Sequence, residues 1–181
     1  MSSYITTYTK KRFNPIAPEE QLIDIKDIAH ALSLMTRANG HFKHFYSVAQ
    51  HSINCFKEAK ERGHSTQVQL GCLLHDASEA YISDITRPVK KHLPEYLIIE
   101  GNVQKLIYEK YSLGSITSEE HRYIEEIDDS MFYYEFLSLM DKQMFEEAPY
   151  IALNHDFSLR SFQDVEDEFL SNFIELTEGL L

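Results

Sequence analysis

Apolar side chains recur at helical spacing along most of this chain, and that pattern constrains the fold more than any other feature. Between residues 24 and 177 they fall at every third or fourth position, as a helix with one buried face requires. No segment of the sequence alternates apolar and polar residues as a half-buried strand does, and no repeat or Pro/Gly-rich linker divides it. The sequence therefore predicts an all-α fold in a single domain over residues 1–181.

Capping and breaking residues indicate where the helices begin and end. Asp24 can cap the first helix, and Thr117 with Glu120 forms a Thr-x-x-Glu capping box before the longest one. The predicted helices begin near Ile25, Phe45, Gln67, Pro94, Thr117 and Ser161, and they end near Asn39, Gly63, Tyr81 and Pro149. Residues 1–21 and 150–160 are predicted to be irregular, and 83–88 to be a loop because Pro88 has no amide hydrogen.

The formal net charge of -12 restricts the partners of the protein. Nucleic acids and anionic membrane surfaces attract clustered Lys and Arg, so neither is expected to bind. A small anionic substrate remains compatible, because a metal ion or a few local cations can dominate one pocket. Cys55 and Cys72 are too few for a disulfide framework, and no apolar run reaches membrane-spanning length. We therefore expect a cytoplasmic protein with reduced core thiols.

An adjacent His75-Asp76 pair ends an apolar run, and Glu79 follows about one helical turn later. A buried charge costs several kcal/mol unless a metal ion, an ion pair or hydrogen bonds offset it. These three ionisable residues therefore need partners, and together they are a candidate site. The alternative is a hydrogen-bonded histidine beside a solvated aspartate at a helix edge. A second pair, His155-Asp156, lies in a predicted polar loop without the buried helical context.

His51 and Asp128 each adjoin an apolar stripe on another predicted helix. Together with His75 and Asp76 they offer two imidazoles and two carboxylates, a donor set that suits divalent Mn, Co, Fe, Ni or Zn. Facing helices of a bundle can direct such ligands at one point. His51 could equally be a core histidine bonded to the backbone, with Asp128 solvated beside Asp129, and the spacing leaves both interpretations open.

A series of motifs runs through this part of the chain in a fixed order. The sequence reads DIAHALS at 27–33, GH at 40–41, FYSVAQHS at 45–52 and LLHDASEAYI at 73–82, followed by Asp84 and RPVK at 87–90. In this order the motifs resemble the HD-domain metal-dependent phosphohydrolase superfamily, especially its bacterial and phage branch similar to 5′-nucleotidases. The resemblance implies an HD-domain helical bundle with a motif core at about residues 22–145, and an activity on phosphate esters.

The resemblance also implies roles for single residues. It implies that the ligands of a divalent metal ion are His51, His75, Asp76 and Asp128. The last of these is open to reassignment, because Asp129 is its neighbour. Glu79 matches the glutamate that orients or deprotonates the attacking water. The implied enzyme is a phosphomonoesterase that hydrolyses (deoxy)nucleoside monophosphates through an activated water.

A second set of residues is predicted to contact the substrate, namely Arg37, Asp84, His41, Arg87 and Lys90. The resemblance puts Arg37 near a phosphate-binding arginine and Asp84 near the sugar, while Arg87 and Lys90 supply positive charge. From the residues alone, Arg37 could instead be a cation at the end of the first helix. Gly40 and His41 replace the segment that follows this arginine in the nucleotidases, which leaves the contacts to base and sugar open.

Two other functions fit the same residues. One is HD-type hydrolysis of a diester or a pyrophosphate-linked nucleotide, and the other is a non-catalytic module that senses a nucleotide or a metal. The presence of every ligand type together with Glu79 favours an enzyme. A sensor has no need of a base for an attacking water.

The charge-poor, aromatic segment 131–140 bears on assembly. Phe132, Phe136 and Leu139 are predicted to face the core, which would leave other large side chains partly outside it: Tyr133, Tyr134, Leu137 and Met140. An exposed apolar and aromatic patch often marks an interface. We therefore expect a homodimer.

Overall fold

Helices form nearly all the regular structure of this protein, for which a computed structural model describes residues 3–178. In chain order they are α1 (Ile25–Leu34), α2 (Val48–Glu61), α3 (Thr66–Leu74), α4 (Glu79–Ile82), α5 (Arg87–Lys90), α6 (Pro94–Lys110), α7 (Ser118–Met140) and α8 (Phe162–Thr177). Short 3-10 helices lie at Glu20–Leu22 and Arg37–Gly40. The predicted all-α fold is confirmed.

A small antiparallel hairpin of β1 (Ile5–Thr6) and β2 (Arg12–Phe13) precedes the helices. The sequence predicted irregular chain here, because strands of two residues are too short to show an alternating pattern. The hairpin is tied to α1 by Asp27, whose carboxylate accepts hydrogen bonds from the Thr9 amide at 2.6 Å and the Thr9 hydroxyl at 2.9 Å.

Most predicted helix starts are confirmed by side-chain caps. Asp24 accepts from the amide of Lys26 at the start of α1, and the capping box of Thr117 and Glu120 is complete at the start of α7. Ser161 caps α8 through the amide of Asp164. Each cap satisfies an amide that has no partner inside its helix.

α2 lies at the centre of the bundle, where α1, α3, α7 and α8 pack against it. Because it has neighbours on several sides, its polar residues are buried together with its apolar ones: Gln50, His51, Asn54 and Glu58 are at most 3% exposed. Buried polar groups require partners within the protein. The central helix therefore places polar and ionisable side chains in the interior of the bundle.

Gly71 brings α3 close to α7. A methyl group at this position would overlap the end of the Ile124 side chain, so any larger residue would force that side chain to shift. Asp128 lies one helical turn beyond Ile124 on α7. The close approach therefore brings Asp128 toward the end of α3, where His75 and Asp76 lie.

The predicted continuous helix from about 67 to 81 is wrong, because α3 ends at Leu74 and α4 begins at Glu79. Gln104 of α6 inserts into the break. Its amide nitrogen donates to the Leu74 carbonyl at 2.7 Å, and its oxygen accepts from the Ser78 amide at 3.0 Å. These are the two groups that a continuous helix would bond to each other. A glutamine side chain thus replaces one helical hydrogen bond.

Other boundaries also differ from the sequence prediction. α2 begins at Val48 instead of near Phe45, because Ser47 caps it through the amide of Gln50. The predicted loop at 83–88 overlaps α5, which has Pro88 in its first turn, where a missing amide hydrogen costs nothing. α7 ends at Met140 and not near Pro149, since Asp141 adopts a left-handed conformation with φ 53°.

The segment 131–140 is packed differently from the prediction. Tyr133 is only 2% exposed and stacks on Phe145, with ring centroids 5.9 Å apart, whereas Phe132 and Phe136 are half-buried. Tyr134 donates to the Pro149 carbonyl at 3.0 Å. The chain that follows α7 therefore covers much of this surface itself, and the homodimer stays a prediction. Within residues 3–178, no helix combines the length and apolarity needed to cross a membrane.

The role of Gln104 can be tested by its effect on stability. Gln104→Leu should lower the free energy of unfolding by about 1–3 kcal/mol, because it leaves the Ser78 amide without its partner and removes one of the two donors to the Leu74 carbonyl, which also accepts from the Ala77 amide. Denaturant unfolding measures this change, with the exposed Gln163→Leu on α8 as the control. Unchanged stability would show that the helix closes directly across the break.

Candidate metal centre

The structure brings the predicted ligands together at one point inside the bundle. His51 lies in the first turn of α2, His75 and Asp76 follow the last turn of α3, and Asp128 comes from α7. The Nε2 atoms of the two histidines are 3.1 Å apart. Oδ1 of Asp128 lies 3.1 Å from His51 Nε2, and Oδ2 of Asp76 lies 3.3 Å from His75 Nε2.

Each histidine is oriented through its other ring nitrogen. His51 Nδ1 lies 2.6 Å from Oε1 of Glu135, and His75 Nδ1 lies 2.8 Å from the Cys72 carbonyl oxygen. Since a carboxylate and a carbonyl can only accept, both Nδ1 atoms must be donors. In the neutral rings the lone pairs are then on Nε2, directed into the space that the two histidines share.

This arrangement attracts positive charge. Neutral rings with facing lone pairs cannot hydrogen-bond to each other, and two carboxylates lie beside them. Although burial opposes a charged ring, Asp76 and Asp128 raise the pKa of His75 to about 9. Ligand atoms about 2.1 Å from one ion and at right angles to each other are about 3 Å apart, close to the separations here. The donor set and its spacing fit a divalent metal ion.

Cys55 is a further potential ligand that the sequence analysis treated only as a core thiol. It lies one turn beyond His51 on α2, with its Sγ 3.5 Å from His51 Nε2, and His51, Cys55 and His75 are close enough to share a metal ion. Burial raises the pKa of the Cys55 thiol well above its ordinary value. A thiol held in its neutral form is a weaker ligand than an ionised carboxylate.

Glu79 begins α4 beside this cluster and is only 4% exposed. Among the described residues, nothing hydrogen-bonds to its buried Oε2 atom. Burial, together with the charges of Asp76 and Asp84, raises the pKa of Glu79 to about 10. Lys90 of α5 lies 3.8 Å from Oε1 of Glu79 and 2.6 Å from Glu100. The structure therefore gathers Glu79, Asp84 and Lys90 on one side of the candidate site.

Arg37 is held next to the ligands by an unusual turn. Ala38 and Asn39 have φ values of 51° and 50°, in the left-handed region that few residues other than glycine adopt. The guanidinium of Arg37 donates to Asp76 and to Glu135, at 3.2 Å in each case. Arg37 therefore faces the site and is not a cation that caps the end of α1.

Arg87 lies at the outer edge of the cluster and distinguishes the two neighbouring aspartates. It donates to Oδ2 of Asp128 at 2.8 Å and to Oδ1 of Asp129 at 3.1 Å. The Asp128 side chain is 22% exposed and reaches His51, whereas that of Asp129 is 52% exposed and contacts Arg87. The geometry therefore favours Asp128 as the ligand.

The two other histidines that the sequence analysis named, His41 and His155, lie outside this cluster. His41 is exposed after the left-handed turn, and the structure does not bring it to the predicted ligands. His155 is buried in the loop before α8, where it lies 2.8 Å from the buried Glu58. Glu58 also accepts from the amides of Ala152 and Leu153, so this second cluster fastens the loop to α2.

Glu135 is a residue of the candidate site that the sequence analysis did not identify. It is fully buried and contacts both His51 and Arg37. Its position seven residues after Asp128, about two helical turns, was the available signal. A charged residue inside an apolar stripe needs a partner, and the sequence alone did not show which residues provide it.

Comparison with known proteins relates the chain to proteins without a described function. No family model matches the sequence. It is 32% identical to the uncharacterized protein YfdR of Escherichia coli K12 over 187 residues, which cover 97% of each chain. It is also 30% identical to the uncharacterized protein RCAP_rcc00048 of Rhodobacter capsulatus over 112 residues, 59% of this chain and 57% of the other. Because the similarity to YfdR extends over nearly the whole of both chains, this protein belongs to the YfdR family.

Proposed function

We propose that this protein is a metal-dependent phosphohydrolase of the HD type, and more specifically a 5′-nucleotidase acting on (deoxy)nucleoside monophosphates. The observation that carries the proposal is the pair of Nε2 atoms of His51 and His75, 3.1 Å apart and each fixed by a partner on Nδ1. An outer partner of this kind is typical of histidines that bind metals.

The proposed ligands are His51, His75, Asp76 and Asp128. Asp76 and Asp128 are preferred to Cys55 because burial opposes ionisation of the thiol, whereas contacts with His75 and His51 lower the pKa of both carboxylates despite burial. A bound divalent ion lowers the pKa of water and offsets charge on phosphoryl oxygens. Mn, Co, Fe, Ni and Zn all accept this combination of nitrogen and oxygen donors.

Glu79 is the proposed base that takes a proton from the attacking water. Its buried Oε2 has no hydrogen-bond partner in the described chain, so it is available to accept that proton. The raised pKa of Glu79 arises from burial and then from the charges of Asp76 and Asp84. A divalent ion bound by Asp76 would lower the pKa of Glu79 again and so favour the ionised carboxylate that a base requires.

The cations around the cluster are proposed to hold the phosphate group. The Arg37 guanidinium presents a planar fork of donors, and a phosphate could replace Asp76 as the partner of one prong. Arg87 and Lys90 add charge at the edge of the site, in a molecule that is otherwise strongly acidic. Asp84, near Glu79, is the proposed contact to the sugar, and His41 lies outside the cluster.

The first test concerns the metal itself. After incubation with Mn²⁺ and removal of excess, His75→Ala should retain far less metal than the unmodified protein. Loss of an outer partner already costs roughly 10–100-fold in affinity, and loss of a ligand should cost more. Elemental analysis measures the content, with Cys55→Ser as the matched control that should keep it. If Cys55→Ser loses its metal while Asp128→Asn keeps it, the proposed ligand set is wrong.

A second test separates the two adjacent aspartates by activity. Asp128→Asn should abolish phosphatase activity, and Asp129→Asn should largely preserve it, because only Asp128 reaches His51. The substrates are nucleoside mono-, di- and triphosphates and cyclic nucleotides, with release of phosphate as the readout. Activity on cyclic nucleotides alone would show a phosphodiesterase instead of a monoesterase. Metal binding without any activity would favour the non-catalytic sensing module.

A third test separates the roles of Glu79 and Arg37. Glu79→Ala should lower kcat by roughly 100-fold or more while metal content and KM change little, as expected when a general base is lost. Arg37→Ala should mainly raise KM, and Arg37→Lys should restore only part of the loss, since an ammonium cannot make the forked contact. Steady-state kinetics distinguish the two patterns. Loss of metal in Glu79→Ala would make Glu79 a ligand instead.

A further inference from the structure

A single buried carboxylate joins the two halves of the candidate site. Glu135 is completely buried in α7, between the buried apolar residues Met131 and Leu139, which lie one turn away on either side. An apolar side chain at this position would continue the core stripe without any desolvation cost. The charge at position 135 therefore requires an explanation in terms of its partners.

Its two oxygen atoms bind different parts of the site. Oε1 lies 2.6 Å from Nδ1 of His51, and Oε2 accepts from Nη2 of Arg37 at 3.2 Å. One rigidly packed group thus contacts a proposed metal ligand and the proposed phosphate-binding arginine at the same time. The second prong of Arg37 reaches Asp76, so the guanidinium bridges Glu135 and a proposed metal ligand.

His51 and His75 differ in what determines their tautomer. His75 Nδ1 donates to a backbone carbonyl, that of Cys72, which no substitution removes. For His51 the corresponding acceptor is the side chain of Glu135, at the shorter distance of 2.6 Å. The acceptor on Nδ1 of His51 is therefore a replaceable side chain, while the carboxylate of Asp128 lies 3.1 Å from its Nε2.

We propose that Glu135 is a positioning residue with two tasks, an inference that rests on the proposed function. It keeps the proton of His51 on Nδ1 so that Nε2 is available to a metal, and it holds Arg37 beside the cluster so that the prong now on Asp76 can turn to a phosphate. Glu135 itself contacts neither substrate nor metal. The metal-binding and phosphate-binding halves are in this way aligned by a single carboxylate.

Replacement by an amide of the same shape tests the first task. In Glu135→Gln only one atom accepts, so the side chain cannot satisfy both donors that Glu135 serves. If the oxygen stays with Arg37, the amide nitrogen donates to His51 Nδ1 and moves the ring proton to Nε2. We expect two-bond ¹H–¹⁵N spectra of the metal-free protein, recorded at a pH at which both rings are neutral, to show His51 protonated on Nε2, with His75 unchanged as an internal reference. Affinity for Mn²⁺ by calorimetry should fall by roughly 10–100-fold.

Two further variants keep the test decisive. Glu125→Gln lies on the exposed face of the same helix and should leave both the tautomer and the Mn²⁺ affinity unchanged. Glu135→Asp keeps the carboxylate but is shorter, so we expect the original tautomer and an affinity between those of Glu135→Gln and the unmodified protein. An unchanged His51 spectrum and affinity in Glu135→Gln would overturn the inference, as would an Nε2-protonated His51 in Glu135→Asp.

Failure of this inference differs from failure of the proposed function. If the unmodified protein binds no Mn²⁺, the proposed metal-dependent activity is wrong, and the tautomer of metal-free His51 still tests the first task of Glu135. If the unmodified protein binds Mn²⁺ and Glu135→Gln binds it equally, the metal site stands and the positioning role is wrong. The second task of Glu135 is tested by KM. Because Glu135→Gln weakens the support of Arg37, it should raise KM for a nucleotide as well as lower the metal affinity.

Discussion

The concentration of buried charge between α2, α3 and α7 is the constraint on which the rest of the structure depends. Asp76, Asp128 and Glu135 face His51 and Arg37 in a space with little access to water. Removal of one partner from a buried ion pair typically costs about 3–5 kcal/mol, so these groups stabilise the fold only as a set. The same set leaves two Nε2 atoms facing each other beside carboxylates, which is the arrangement that attracts a cation.

The helices position these groups through specific departures from regular packing. Gly71 permits α7 to approach α3, and the side chain of Gln104 holds open the break between α3 and α4. That break separates His75 and Asp76 from Glu79, so the three groups do not lie on one continuous helix. The left-handed turn after Arg37 is another irregular element, and it too borders the cluster. Two irregular elements of the fold thus border the candidate site.

The sequence predicted the helical class and several helix caps because both depend on local patterns, as at Asp24 and Thr117. The predicted ligands were identified through a family resemblance, and their convergence from distant helices could not be derived from spacing. Gln104 and Glu135 escaped prediction for a shared physical reason: each acts on residues far away in sequence. A glutamine that replaces a helical hydrogen bond, or a glutamate inside an apolar stripe, is recognised only when its partners are known.

Anomalous X-ray diffraction from crystals grown with Mn²⁺ tests the central claim most directly. The account predicts one strong peak at bonding distance from Nε2 of His51 and Nε2 of His75, with carboxylate oxygens of Asp76 and Asp128 as further ligands. Glu135 should remain on Nδ1 of His51, outside the ligand shell. Absence of a peak between these residues, or a peak bound through Cys55 with both aspartates turned away, would contradict the account.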